Sequence, residues 1–168
     1  MLYEIKGNCV CCASEYKLVI SGSSGVHGIC PECGEKPIKF KKFKGMIYIV
    51  KNPNQSGVKV GLTTKDISFR LKQLSSTGVP GKFNVIALFP SDNPEVDEEK
   101  AHSKLRKFIL DKEHFDVPEI DAVLAVYRSL NYRKPIFYEK NIESEFNERL
   151  KISKEAMSKR LGKSLDLN

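Results

Sequence analysis

Five cysteines sit within the first 33 residues of a 168-residue chain, and none follows them. They read CVCC (Cys9, Cys11, Cys12) and CPECG (Cys30, Cys33). Two CxxC pairs, Cys9/Cys12 and Cys30/Cys33, are separated by residues 13–29. Each pair delivers two thiolates from one tight turn, and two such turns complete the tetrahedral sulfur shell that zinc prefers. In the second pair Pro31 stiffens the turn and Gly34 lets the backbone fold back. Four sulfur ligands leave no position open for water, so the spacing predicts a structural rather than a catalytic ion. A segment of about 40 residues needs that ion, because it buries too little surface to fold unaided. Cys11 is left as a spare thiol. Val19, Ile20, Val26 and Ile29, around the SGSSG turn, suit a short hairpin, and the whole reads as a small zinc ribbon.

The charge balance narrows the partners. Lys and Arg number 28 against 21 Asp and Glu, for a net charge of +7, which attracts polyanions. Nucleic acid is the first candidate and an anionic membrane face the second. MLYEIKGN has no apolar segment of signal-peptide kind, and no run approaches membrane-spanning length, so a cytoplasmic protein is expected. After the cysteines comes KPIKFKKFKG, residues 36–45, where lysines interleave with Phe40 and Phe43. Lys41, Lys42 and Lys44 are the candidate nucleic-acid contacts, with phosphate contact and base stacking as their chemistry. A solvated linker whose phenylalanines dock on the next domain fits the same residues.

Next, MIYIVKNPNQSGVKVGLT places β-rich runs at 46–51 and 58–62 around a turn with Pro53, Asn54 and Gly57. Thr63 and Asp66 resemble a capping box opening a helix on Ile67, Leu71 and Leu74. A strand is predicted over 82–90, then a helix over 96–109 with Ala101, Leu105, Phe108 and Ile109 on its apolar face. The pattern predicts an α/β (α+β) domain, a small three-stranded antiparallel sheet flanked by helices. At ~100° per residue Arg70 falls within about 60° of its helix's apolar stripe. Glu98 falls roughly 40° from the centre of the next apolar face, while Glu99 points away. A carboxylate at such a place needs a metal ion or a cationic partner such as Arg70. From Pro118 a helix is marked by Ile120, Val123, Leu124, Tyr127 and Leu130, and NYRKPIF breaks it. A charged amphipathic helix follows on Ile142, Phe146 and Leu150 toward Leu161, suited to docking on its own domain or to pairing as a homodimer. Its mixed charges argue against a membrane role. The expected domains are 1–42, ribbon and basic linker, 43–131, and a helical extension at 132–168.

Met46-Ile47-Tyr48 and Lys59-Val60-Gly61, separated by residues 49–58, resemble the paired signature of the GIY-YIG endonuclease superfamily. GLT, Arg70 on the next helix, EEKAH and EHF are similar to its divergent phage-type branch, and the likeness covers about residues 45–118. The resemblance implies divalent-metal-dependent hydrolysis of nucleic-acid phosphodiester bonds, with DNA the favoured substrate. It puts Tyr48 near the nucleophile, Arg70 on the phosphate, and magnesium or manganese on Glu98. Lys59 replaces the second tyrosine and is able to hold a phosphate as a point charge. His102 either orients substrate or is a hydrogen-bonded histidine at the core edge. Glu113 and Phe115 belong to an element that closes the core, with no catalytic step. A nucleic-acid-binding adaptor on a degenerate nuclease fold is the alternative, with Lys59 as its symptom, and an interaction module built on the ribbon is a third reading.

Overall fold

The computed structural model describes residues 2–21, 29–38, 41–75 and 80–165. Most of the SGSSG turn, Val26 and Phe40 lie outside the described residues. The chain divides into two compact units, Met1–Lys42 and Phe43–Asn168.

In the first unit, β1 (Leu2–Asn8) and β2 (Glu15–Ser21) form an antiparallel pair, from Leu2 opposite Ser21 to Asn8 opposite Glu15. This hairpin wraps the first CxxC turn, and the one expected around the SGSSG turn lies outside the described residues, apart from Ile29, which is 66% exposed. The reason lies in the ladder: the strands on both sides of the first cysteine turn satisfy each other's backbone. Cys9, Tyr16 and Cys30 form a small buried cluster with Ile5, Leu18 and Ile38 against it.

The second unit is built on a six-stranded sheet, not the three strands expected, in the spatial order Ile109–Asp111, His114–Phe115, Val58–Thr63, Gly45–Lys51, Asn84–Ser91, Ile136–Phe137. Its centre is β3 (Gly45–Lys51) between β4 (Val58–Thr63) and β5 (Asn84–Ser91), all antiparallel. The added strands β6 (Ile109–Asp111), β7 (His114–Phe115) and β8 (Ile136–Phe137) are two or three residues long, too short to show a period. Ile47 and Ile49 face one side of the sheet, and Tyr48 and Val50 the other. The same alternation is interrupted on β5, where the register shifts opposite Ile49/Val50. Ile86 is the extra residue, and it lets Val85 and Leu88 share the Tyr48 face although Ala87 and Phe89 share the opposite one.

Helix α1 (Ile67–Leu74) covers the Tyr48 face with Ile67, Leu71 and Leu74. Its N-cap is Asp66, which accepts the Ser68 N–H at 2.8 Å, while Thr63 ends β4 and accepts the Lys65 N–H at 3.1 Å. The expected Thr63 capping box is thus an Asp66 cap following a Thr63 turn. The other face is covered by α2 (Pro94–Leu105), α3 (Glu119–Ser129) and the first turns of α4 (Lys140–Leu165). Helix α2 ends at Leu105 and not at Ile109. A 3-10 turn, Arg106–Phe108, leads into β6, leaving Ile109 53% exposed. In α4, Ile142 and Phe146 are buried and Leu150 packs against the core. No helix among the described residues is long and apolar enough to cross a membrane.

Candidate functional site

The four predicted ligand cysteines meet. Their sulfurs lie within 4.8 Å of one another, with Cys9 Sγ to Cys33 Sγ at 3.7 Å and Cys12 Sγ to Cys30 Sγ at 3.6 Å. A tetrahedral ion with Zn–S bonds of about 2.3 Å requires sulfurs about 3.8 Å apart, so the donor set has the size of a zinc site. Both turns are built alike. Cys9 O accepts from Ala13 N and Cys30 O from Gly34 N, each at 2.9 Å, and both closing residues are left-handed, Ala13 at φ 62° and Gly34 at φ 72°. The Ser14 hydroxyl, 3.3 Å from Cys30 Sγ, helps to hold that thiol down at about 6. Cys11 is exposed and outside the cluster.

A second constellation lies on the sheet of the other unit. Tyr48 on β3 pairs with Gly61 on β4, and its ring crosses that glycine so closely that a Cβ there would stand 2.7 Å from Tyr48 Cζ. Only glycine admits the ring. Tyr48 is 0% exposed, and its hydroxyl accepts a hydrogen bond from Arg70 Nε at 3.2 Å. Arg70 also donates to Gln73 Oε1 at 3.4 Å, and its guanidinium carbon sits 5.8 Å from the Tyr48 ring centre. Burial pushes the Tyr48 phenol up despite the neighbouring Arg70, so it stays protonated at neutral pH.

Two residues one turn apart on α2 reach the edge of β4. Lys59 and Val58 pair with β7, and Val60 N donates to Glu113 O at 3.0 Å, after which that neighbour is used up. Val60 O then accepts from His102 Nε2 at 2.9 Å, and Leu62 N donates to Glu98 Oε1 at 2.8 Å. The carbonyl partner fixes the His102 proton on Nε2. Glu98 Oε2 has no hydrogen bond among the described residues, and no ion pair within 4.0 Å joins Glu98 to Arg70. Burial raises the Glu98 carboxyl above its ordinary range, against the pull of His102 and the Leu62 N–H. Glu99 is exposed.

Lys59 does not present a free ammonium. Its side chain is 11% exposed and paired with Glu113. Burial works to raise Glu113, but the Lys59 hydrogen bond and the charges of Lys59, Arg70 and His102 hold it below the usual carboxylate range. Tyr48, Lys59, Arg70, Glu98, His102 and Glu113 thus form one electrostatic cluster. Lys41, Lys42 and Lys44 are exposed and stand apart from it in sequence.

The sequence pattern passed over the most buried acid of α2. Asp97 is 4% exposed, accepts from Ser91 Oγ at 2.6 Å and pairs with Arg133, which also donates to Pro90 O at 3.1 Å. Asp97 stands one and two turns before Ala101 and Leu105, which was the available signal. Its partner lies far along the chain, where no local pattern reaches.

A family model, the T5orf172 domain, matches residues 45–131, the segment that carries all six members of the Tyr48–Glu98 cluster. The chain belongs to the T5orf172 domain family. The T5orf172 domain is a phage-type, nuclease-like domain, which gives the second unit a nuclease or nucleic-acid-binding character. The match ends at Asn131 and leaves the cysteine cluster and α4 outside the T5orf172 segment. No curated protein and no solved structure matches the chain significantly.

Proposed function

We propose that the second unit is a GIY-YIG-type endonuclease that hydrolyses phosphodiester bonds with a divalent metal ion, with DNA as the favoured substrate. The observation that carries this reading is the convergence of Tyr48, Arg70 and Glu98 from β3, α1 and α2 within the T5orf172 segment. Glu98 would hold magnesium or manganese, whose chemistry there is to polarise a phosphoryl oxygen and acidify a water. A half-buried carboxylate with one oxygen fixed by Leu62 N–H and the other without a partner fits that task. Arg70 clamps the phosphate oxygens and stabilises their developing charge. Tyr48, buried beneath it, orients the guanidinium through its hydroxyl. Lys59 and Glu113 keep a neutralised pair beside them. In the reaction the water oxygen forms the new P–O bond, the ester P–O bond breaks, and the leaving oxygen ends protonated. The ribbon holds one zinc through Cys9, Cys12, Cys30 and Cys33 and, with Lys41, Lys42 and Lys44, contributes binding.

Cleavage of supercoiled and linear DNA with magnesium or manganese tests the reading. Glu98→Ala abolishes cleavage and retains binding, Glu99→Ala is nearly silent, and Arg70→Ala loses roughly 10²-fold or more, the scale of one charge stabiliser. Equal activity in wild type and folded Glu98→Ala would end it. One observation favours the adaptor reading instead: Glu98 and His102 already have a structural task in satisfying β4, and that task needs no metal.

A further inference from the structure

Helix α4 has two halves of opposite character. Over 140–150 it carries two basic and three acidic residues, and Ile142 and Phe146 bury it against the core. Over 151–165 it carries five basic residues (Lys151, Lys154, Lys159, Arg160, Lys163) against Glu155 alone. That is four of the chain's seven net positive charges. Every residue from 151 to 159 is exposed, and among the described residues Lys151, Lys154 and Lys159 form no ion pair. At 1.5 Å per residue this half extends for about 22 Å. Lys134, from the connection between α3 and β8, joins Lys151 and Lys154 in lining a groove of about 490 Å³, with Glu143 and Glu155 as its acidic members.

We propose that the second half of α4 is a nucleic-acid contact arm that binds the phosphate backbone through Lys151, Lys154 and Lys159. The proposal rests on the nucleic-acid reading of the second unit and adds to it a binding surface outside the T5orf172 segment. A membrane surface or a second copy of the helix requires a continuous apolar stripe. Among the described side chains of 151–159, the exposed apolar residues Ile152 and Met157 lie about 140° apart around the helix and make no such stripe. The first half of α4 packs on α3 and β8, and the arm leaves from there, with Lys151 and Lys154 beside Pro135 and Phe137.

The test measures affinity of the full, zinc-loaded chain for a labelled duplex of about 30 base pairs, roughly three helical turns. Potassium chloride is varied, and no magnesium or manganese is added, so that cleavage plays no part. Replacing Lys151, Lys154 and Lys159 together by alanine lowers the log–log salt slope by about 2 to 3 units, at about 0.9 per phosphate contact. Replacing the same three by arginine keeps the wild-type slope. Circular dichroism checks that α4 persists in both. A wild-type slope in the alanine variant would overturn the arm while leaving the cleavage reading intact. An alanine variant that changes only from dimer to monomer would overturn it in favour of a second copy. A wild-type chain that binds no duplex would remove the arm and the nucleic-acid reading together.

Discussion

Glu98 and Glu113 titrate in opposite senses, and each sets a pH dependence of stability. Glu98 has its folded value raised above the ordinary 4.5 by burial, so the folded state holds that proton more tightly than the unfolded chain. Stability therefore falls as pH rises from 4.5 through the folded value, and above it the ionised carboxylate is a standing cost. Glu98→Gln, which keeps an acceptor for the Leu62 N–H, should melt higher than wild type at neutral pH, the gap closing below pH 4.5. Glu113 has its folded value lowered from 4.5, burial being outweighed by Lys59. Its contribution is complete above pH 4.5 and is lost as pH falls through the folded value. Glu113→Gln should melt lower at neutral pH because Lys59 loses its partner while still buried, the gap again closing in acid. Paired thermal melts across pH check both signs, and two variants moving in the same direction would contradict the assignment.

Among the elements, the end of β5, the start of α2 and the connection after α3 are tied by Ser91, Asp97 and Arg133. Arg133→Ala removes the hydrogen-bonded cation of the buried Asp97 carboxylate, leaving only Lys100 at 3.9 Å, and should cost about 2 kcal/mol, read as a lowered denaturation midpoint. Adding Asp97→Asn should recover most of it, and a single variant as stable as wild type would deny the tie. That lock shows where sequence reading stops. Strands β3, β4 and β5 were legible as runs rich in Ile, Val and aromatic residues, the first two joined by a turn with Pro53, Asn54 and Gly57, and α1 because Ile67, Leu71 and Leu74 recur at helical spacing. The ends were not. Phe108 and Ile109 continue the helical spacing of α2, yet the chain turns at Arg106 to supply the strand that pairs with His114 and Phe115. Arg70 and Glu98 stood out because a charged residue beside an apolar stripe must find a partner. Their real neighbours, Tyr48 Oη and the Leu62 N–H, depend on sheet register, and so does the union of Lys59 with Glu113.

At the scale of the whole molecule, each unit has its own buried cluster, and only the first is organised by thiols. Removing the metal with a thiol-selective chelator should release one zinc per chain and abolish the structure of residues 1–42, because the ion's binding free energy is the folding free energy there. The melting transition of the second unit should stay within a degree or so of its original value. Cys30→Ser should reproduce the chelator and Cys11→Ser should not. A second unit that unfolds with the metal would contradict the separate cores.

The reach of α2 to β4 also bears on self-association. Val60 O and Leu62 N form the stretch of β4 that β7 is too short to cover, and His102 and Glu98 cover it instead. An uncovered strand edge is a template for a strand from another chain. The double variant Glu98→Ala/His102→Ala therefore opens a docking point for β-addition while disabling the proposed chemistry. On mild heating it should form oligomers by light scattering where wild type stays in its starting state, and Glu98→Gln/His102→Gln should resist them because its amides still reach the strand. In a T5orf172 protein emptied at this position, loss of activity and a change in association state are then expected together, because the same two side chains serve both.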